Sequence, residues 1–212
     1  MPNIFYLKKY KIFILTPPSK QVRCAYLGVN HKMTSEQTVV SRQTKNYEPS
    51  KIIGLISDTH VPKRAMCIPK KVFEIFANTD FIIHAGDLVE LAVIDELEQA
   101  APVLAVHGNM DGLEVNNAFP QLNSLKIFDW KIGVIHDVNS ISGLKKMEEI
   151  AKRNGFNVLV YGHTHVSKVK WEEETLYINP GSPTDPASFR NKPSVGLLKI
   201  TKETITPQIV NL

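Results

Sequence analysis

The chain has 212 residues, 43% of them hydrophobic and 22% charged, which suits one globular domain with a sizeable core. No apolar run approaches the ~20 residues that span a bilayer, so no membrane-spanning helix is expected. The formal charge of +4 is uneven: residues 1–50 hold eight Lys/Arg and two acids, a balance of +6 that leaves −2 for residues 51–212. That remainder gives no electrostatic reason to expect a long nucleic-acid footprint.

Residues 1–50 are irregular. A short apolar patch (Ile12 to Leu15) precedes Pro17-Pro18 and a polar stretch from Lys32 to Ser50. Lys8, Lys9 and Lys11 interrupt the first residues, and the patch is shorter than a secretory signal needs. A transit peptide, a family-specific extension and a later start at Met33 all fit this composition. The expectation is a poorly ordered N-terminal extension over residues 1–50, followed by a single domain over 51–212. Cys24 and Cys67 lack metal-type spacing, and reduced thiols in a cytoplasmic protein are expected.

From Lys51 the apolar pattern becomes regular. It predicts a buried strand over Ile52 to Ile56, a helix over Lys70 to Asn78 and a strand over Phe81 to His84. A helix over Leu88 to Gln99 and a strand over Val103 to His107 follow. This β-α-β-α-β order predicts a parallel sheet with right-handed crossovers. Ser124 to Phe128 and Lys131 to His136 flank Asp129-Trp130 as a hairpin. A helix is expected over Ser142 to Arg153, and strands over Asn157 to Tyr161, Ser167 to Trp171, Thr175 to Ile178, Val195 to Ile200 and Thr204 to Val210.

Ionisable residues cluster directly after the strands. Ile52 to Ile56 leads into Ser57-Asp58-Thr59-His60, and Phe81 to Ile83 into His84-Ala85-Gly86-Asp87. Val103 to Val106 leads into His107-Gly108-Asn109-Met110-Asp111, Ile132 to Ile135 into His136-Asp137, and Val158 to Tyr161 into Gly162-His163-Thr164-His165. Ligands collect at the carboxyl ends of strands in such sheets. Carboxylate and imidazole without thiolate suit a divalent transition metal. Each piece alone is weak, since Asp-x-His and Gly-Asp pairs are common. All five in order, each at a strand end, make chance improbable.

The set Asp58-x-His60, Gly86-Asp87, Gly108-Asn109-x-Asp111, His136 and Gly162-His163-x-His165 resembles the signature of calcineurin-like metallophosphoesterases, in particular the small single-domain phosphodiesterase branch of bacteria and archaea. The resemblance spans roughly Ile52 to Ile200 and includes the Asn179-Pro180-Gly181-Ser182 turn with the following Pro183-Thr184-Asp185. It implies an α/β fold, a four-layer α/β/β/α sandwich of two mixed sheets flanked by helices. It implies two divalent ions, manganese first, with nickel, zinc, cobalt and iron open. Asp58, His60 and His165 would hold the first ion, Asn109, His136 and His163 the second, and Asp87 would bridge. The implied reaction is in-line attack on a small phosphate ester, with a diester favoured by the likeness to this branch, by a hydroxide shared between the ions.

Two departures stand out. Many members carry a His where this chain has Met110, and Met cannot transfer a proton. Many also have a second Gly-His after the His136 position, where Asp137-Val138-Asn139 stands here. Asp111, Asp137 or solvent are therefore the candidates for protonating a leaving group, with Asp111 also read as an orienting residue. The Asn-Pro-Gly-Ser turn reads as structural or as a substrate contact. His84 and His107 read as structural, and Arg190 and Lys192 as surface residues able to approach a phosphate. Rival readings are a phosphomonoesterase, a nuclease, or a non-catalytic scaffold like the retromer's vacuolar sorting subunit. That relative is expected to lack a His of the last motif, and this chain keeps both. A homo-oligomer is compatible with the size.

Overall fold

The computed structural model describes residues 49–137 and 143–212. The expected extension, apart from Pro49 and Ser50, lies outside the described residues, as does Cys24. In chain order the elements are β1 (Lys51–Ile56), α1 (Lys70–Phe76), β2 (Phe81–Ala85), α2 (Ala92–Leu97), β3 (Val103–Val106), α3 (Leu113–Ala118), β4 (Leu122–Ile127), β5 (Trp130–Ile135), α4 (Gly143–Asn154), β6 (Val158–Val160), β7 (Lys168–Glu172), β8 (Thr175–Asn179), β9 (Ser194–Ile200) and β10 (Ile205–Asn211).

The β1-β2-β3 run is parallel, as the alternating pattern predicts. It is not the whole sheet. The last two strands return to the free edge of β1 and pair antiparallel, giving the order β10-β9-β1-β2-β3. The second sheet has the order β4-β5-β6-β8-β7, parallel in the middle and antiparallel at both edges. Both sheets are therefore mixed.

Strands buried on two faces must be apolar throughout, and the two faces serve different layers here. Ile53, Leu55, Ile83 and Val106 face Ile132, Val134, Val160 and Ile178 of the second sheet, forming the central core. On the other side of the first sheet, Ile56 and Ile82 pack with Val72 and Phe76 of α1 and Val93 and Leu97 of α2. On the outer face of the second sheet, Leu159 and Tyr177 pack with Met147 and Ala151, one turn apart on α4. The result is helix, sheet, sheet, helix: the α/β/β/α sandwich that the resemblance implies.

Two local departures have physical causes. The second helix begins at Ala92 rather than Leu88, because Val89 has φ 83° and its N–H is taken by the Asp111 carboxylate at 2.6 Å. The six-residue α3 buries only Val115, so it leaves no periodic trace in the sequence. The hairpin tip is tied across the sandwich, since the Trp130 indole N–H donates to the Thr201 carbonyl at 2.8 Å. Among the described residues no helix is long and apolar enough to cross a membrane.

Candidate metal centre

The carboxyl ends of β1, β2 and β3 in one sheet, and of β5 and β6 in the other, open onto one rim. Asp58 and His60 follow β1, Asp87 follows β2, Asn109 and Asp111 follow β3, His136 follows β5, and His163 and His165 follow β6. All seven predicted ligand residues meet there.

The loops turn too sharply for ordinary backbone. Asp58, His60, Asp87, His163 and His165 all have left-handed φ, between 46° and 71°. Each such non-glycine residue costs on the order of 1 kcal/mol, a strain that clusters where geometry matters more than stability. Gly108 permits the closest approach: a Cβ there would lie 2.1 Å from Asp87 Oδ1. Gly86, at φ 89°, would place a Cβ 2.7 Å from the His136 ring.

Donor atoms converge in two groups. In the first, His165 Nε2 is 3.1 Å from His60 Nε2 and 3.4 Å from Asp58 Oδ1. In the second, Asn109 Oδ1 is 3.0 Å from His136 Nε2 and 2.9 Å from His163 Nδ1. Asp87 Oδ2 stands between them, 3.6 Å from His60 Nε2 and 3.3 Å from His136 Nε2. Asp58, His60 and Asp87 are buried, whereas the His163 side chain is 43% exposed. The second group thus faces solvent, the side from which a substrate would arrive.

Outer contacts aim the rings. His136 Nδ1–H donates to the Ala85 carbonyl at 2.8 Å, which turns Nε2 toward Asp87 and Asn109. His165 Nδ1–H donates to the Asp185 carbonyl, which turns its Nε2 toward Asp58 and His60. These tautomers follow from the partners. His136 Nε2, Asp87 Oδ2 and Asn109 Oδ1 are then three acceptors aimed at one point, and they need a proton or a cation between them. Burial disfavours the charged form of His136, but the Asp87 hydrogen bond and the Asp58 charge outweigh it and raise its pKa. Burial pushes Asp87 up, yet the His136 hydrogen bond and charge and the Met110 N–H bring it below the ordinary value. Burial raises Asp58, opposed by the His136 charge. Imidazole, carboxylate and amide oxygen without thiolate fit a divalent transition ion. Asp58, His60 and His165, and Asp58, Asp87 and His136, each place ligand atoms within 4.8 Å of one another.

The two candidate proton donors differ in setting. Asp111 Oδ2 accepts the N–H groups of Gly108 and Asp87 at 2.7 and 3.1 Å, and Oδ1 accepts Val89. Both its oxygens hold the loops that carry Asp87 and Asn109. Asp137 lines a cleft of about 280 Å³ with Asn109, His136, His107, Gln121 and Lys146, and its Oδ2 lies 3.8 Å from His163 Nε2. Lys146, read from sequence as surface, and His107 thus border the centre. Arg190 lies over the Phe189 ring and lines neither cleft beside the centre.

The Asn-Pro-Gly-Ser turn is a brace. Ser182 Oγ–H donates to the Asp58 carbonyl at 2.7 Å, and Asn179 Nδ2–H to the Gly162 carbonyl at 2.8 Å. Thr184 Oγ1–H donates to the Thr59 carbonyl at 2.7 Å. Sequence reading left this turn open and did not single out Arg64, which lines a second cleft of about 140 Å³ with His60, Asn109, His163 and Asp185. No periodic or spacing signal marks Arg64, because it comes to the centre only through a loop.

His84 is fully buried, with Nε2 3.1 Å from Thr59 Oγ1 and Nδ1 without a partner. Burial lowers its pKa from 6.5 to about 3. The unfolded chain therefore takes up a proton below pH 6.5 that the folded chain refuses. His84 contributes stability above that pH, and the contribution is lost as pH falls toward 3. In metal-free protein, the urea midpoint of a His84→Gln variant is expected to fall less than wild type between pH 6.5 and 4.5.

Comparison with known proteins agrees with this geometry. Residues 52–203 match the calcineurin-like phosphoesterase superfamily domain. A probable metallophosphoesterase of Methanothermobacter thermautotrophicus is 38% identical over 163 residues, covering 75% of this chain and 91% of that protein. A phosphodiesterase of Methanocaldococcus jannaschii is 31% identical over 166 residues, covering 71% and 94%. Among solved structures, vacuolar protein sorting 29 from Cryptosporidium parvum superposes with a TM-score of 0.70 at 23% identity, covering 77% of this chain and 92% of that one, a likeness of fold. The length of the family match and the identity to the archaeal relatives place this chain in the calcineurin-like phosphoesterase superfamily.

Proposed function

We propose that the chain is a divalent-metal-dependent phosphodiesterase. Asp58, His60 and His165 would hold one ion, Asn109, His136 and His163 would hold a second, and Asp87 is placed to serve both. The observation that carries this reading is Asp87 Oδ2, which faces His60 Nε2 at 3.6 Å and His136 Nε2 at 3.3 Å. One carboxylate thereby serves both donor groups. Manganese is the favoured ion; the same donors suit nickel, zinc, cobalt or iron. When bound, such ions supply Lewis acidity and lower the pKa of water, so a nucleophile exists at neutral pH without a protein base.

The protein's own groups do the rest. Asn109 is a neutral donor on the exposed side, leaving that group more cationic toward an anionic substrate. His136 and His165 are aimed by the Ala85 and Asp185 carbonyls, and such support tunes ligand strength. Asp111 is a positioning residue, because its oxygens are taken by backbone N–H groups. Asp137, on the cleft wall, is the carboxyl placed to give a proton to a leaving alkoxide, since Met110 has none to give.

The diester preference is supported by the phosphodiesterase among the relatives and by two openings that share Asn109, of about 280 and 140 Å³. They offer room for two substituents on one phosphorus and suit a small ester better than a nucleic-acid strand. The test is to strip metal, restore manganese, and compare bis-p-nitrophenyl phosphate with p-nitrophenyl phosphate. Faster diester hydrolysis is expected. A faster monoester would overturn the diester preference, and silence on both would overturn the enzyme.

A further inference from the structure

We infer that Arg64 is the residue that grips the anionic phosphoryl oxygens of the substrate; this rests on the metal-centre reading above. The wall of the 140 Å³ cleft over the donor groups includes Arg64, Met110 and Asp185. Met110, on the same wall, has a thioether that offers neither a proton nor a charge. Arg64 is the one permanently cationic side chain among the residues that line this cleft.

Its placement is built. The Arg64 N–H donates to the His60 carbonyl at 2.8 Å, which holds its backbone against that of a predicted ligand. Its Nε lies 3.4 Å from Asp185 Oδ2. The Asp185 backbone carbonyl in turn accepts the His165 Nδ1–H. The guanidinium is thus tethered through Nε, with the side chain 62% exposed. Its two Nη groups form the fork that matches two oxygens of a phosphate.

The chemistry separates Arg64 from a general acid. A guanidinium stays charged and gives up no proton in water. It can stabilise negative charge on non-bridging oxygens in the bound ester and as that charge grows in the transition state. It cannot protonate the departing oxygen. Charge stabilisation and proton supply are therefore divided: the first falls to Arg64, the second to a different group. Removing Arg64 should weaken substrate and phosphate binding while leaving the dependence of rate on leaving-group acidity unchanged.

The experiment uses the full chain loaded with manganese, and Arg64→Ala, Arg64→Lys and Asp185→Ala variants. Binding of inorganic phosphate is measured by calorimetry, manganese affinity by equilibrium dialysis, and kcat/KM over a series of aryl diesters. For Arg64→Ala, phosphate binding is expected to weaken ~10–100-fold, with manganese affinity and the leaving-group slope unchanged. Arg64→Lys should recover part of the loss, since it restores charge without the fork. Equal phosphate affinity in wild type and Arg64→Ala would overturn the inference. So would a fall in manganese affinity for Arg64→Ala as large as its loss of phosphate affinity, which would make Arg64 a support for the donor groups. Asp185→Ala, which frees the guanidinium from its carboxylate tether, should weaken phosphate binding less than Arg64→Ala. A wild-type chain that binds neither manganese nor phosphate would instead overturn the metal-centre reading, and this inference with it.

Discussion

Asp87→Ala is expected to lower manganese-dependent diester hydrolysis by ~10³-fold or more, with the fold retained. The side chain is 2% exposed, and both of its oxygens are used. Oδ1 accepts the Met110 N–H at 2.8 Å, which pins the loop carrying Asn109, and Oδ2 faces both donor groups. Alanine therefore removes the carboxylate proposed as a shared ligand and frees the Asn109 loop at once. The folded metal-free chain should tolerate the change better than the enzyme does. Asp58 and Asp87 repel one another, and loss of one buried charge relieves that. Against it stands the loss of the His136 partner. Circular dichroism and a urea midpoint check the fold, and an Asp87→Asn variant keeps the shape while removing the charge. Turnover in either variant within threefold of wild type would contradict a shared ligand.

Asp111→Ala should act differently, through stability first. The Asp111 carboxylate accepts N–H groups of Asp87, Val89 and Gly108, which belong to two loops that are distant in sequence. Each buried donor left without an acceptor costs about 1–3 kcal/mol. The expected destabilisation is ~3 kcal/mol or more, read as a lowered urea midpoint in metal-free protein. The loops it holds carry Asp87 and Asn109, so manganese affinity should also fall, by ~10–100-fold as for other supports of metal ligands. Asp111→Asn keeps one acceptor oxygen and should lie between. A proton donor would behave otherwise: its removal would spare metal affinity and slow poor leaving groups selectively. That pattern is expected of Asp137→Asn instead.

The strand-end residues were legible because two signals coincided. A run such as Ile52 to Ile56, buried on two faces, can hardly be anything but a central strand. Its last residue then fixes where Asp58 and His60 begin. Order along the chain did the rest, since each of five runs led within a few residues into Asp, Asn or His. The mixed character of the sheets was legible through the family resemblance and not through the β-α-β pattern, which spoke only for β1 to β3. Antiparallel pairing of β9 with β1 joins residues far apart in sequence, with no local turn to announce it. The same distance hid the brace: Ser182 meets Asp58 and Thr184 meets Thr59 across |i−j| of 124 and 125. The delayed start of α2 was invisible for a related reason. The apolar spacing favoured an earlier helix, and the Asp111 carboxylate, reached from another loop, holds Val89 out of it. Arg64 is silent in the sequence because its value lies in what stands opposite it, which linear order does not show.

The most direct measurement is a manganese titration of metal-free protein, with initial rates of bis-p-nitrophenyl phosphate hydrolysis recorded at each added equivalent. A rate that climbs from background and levels off near two equivalents per chain is the predicted result. A folded chain whose rate stays at background through excess manganese would contradict the account, and would leave this fold serving as a surface for other proteins.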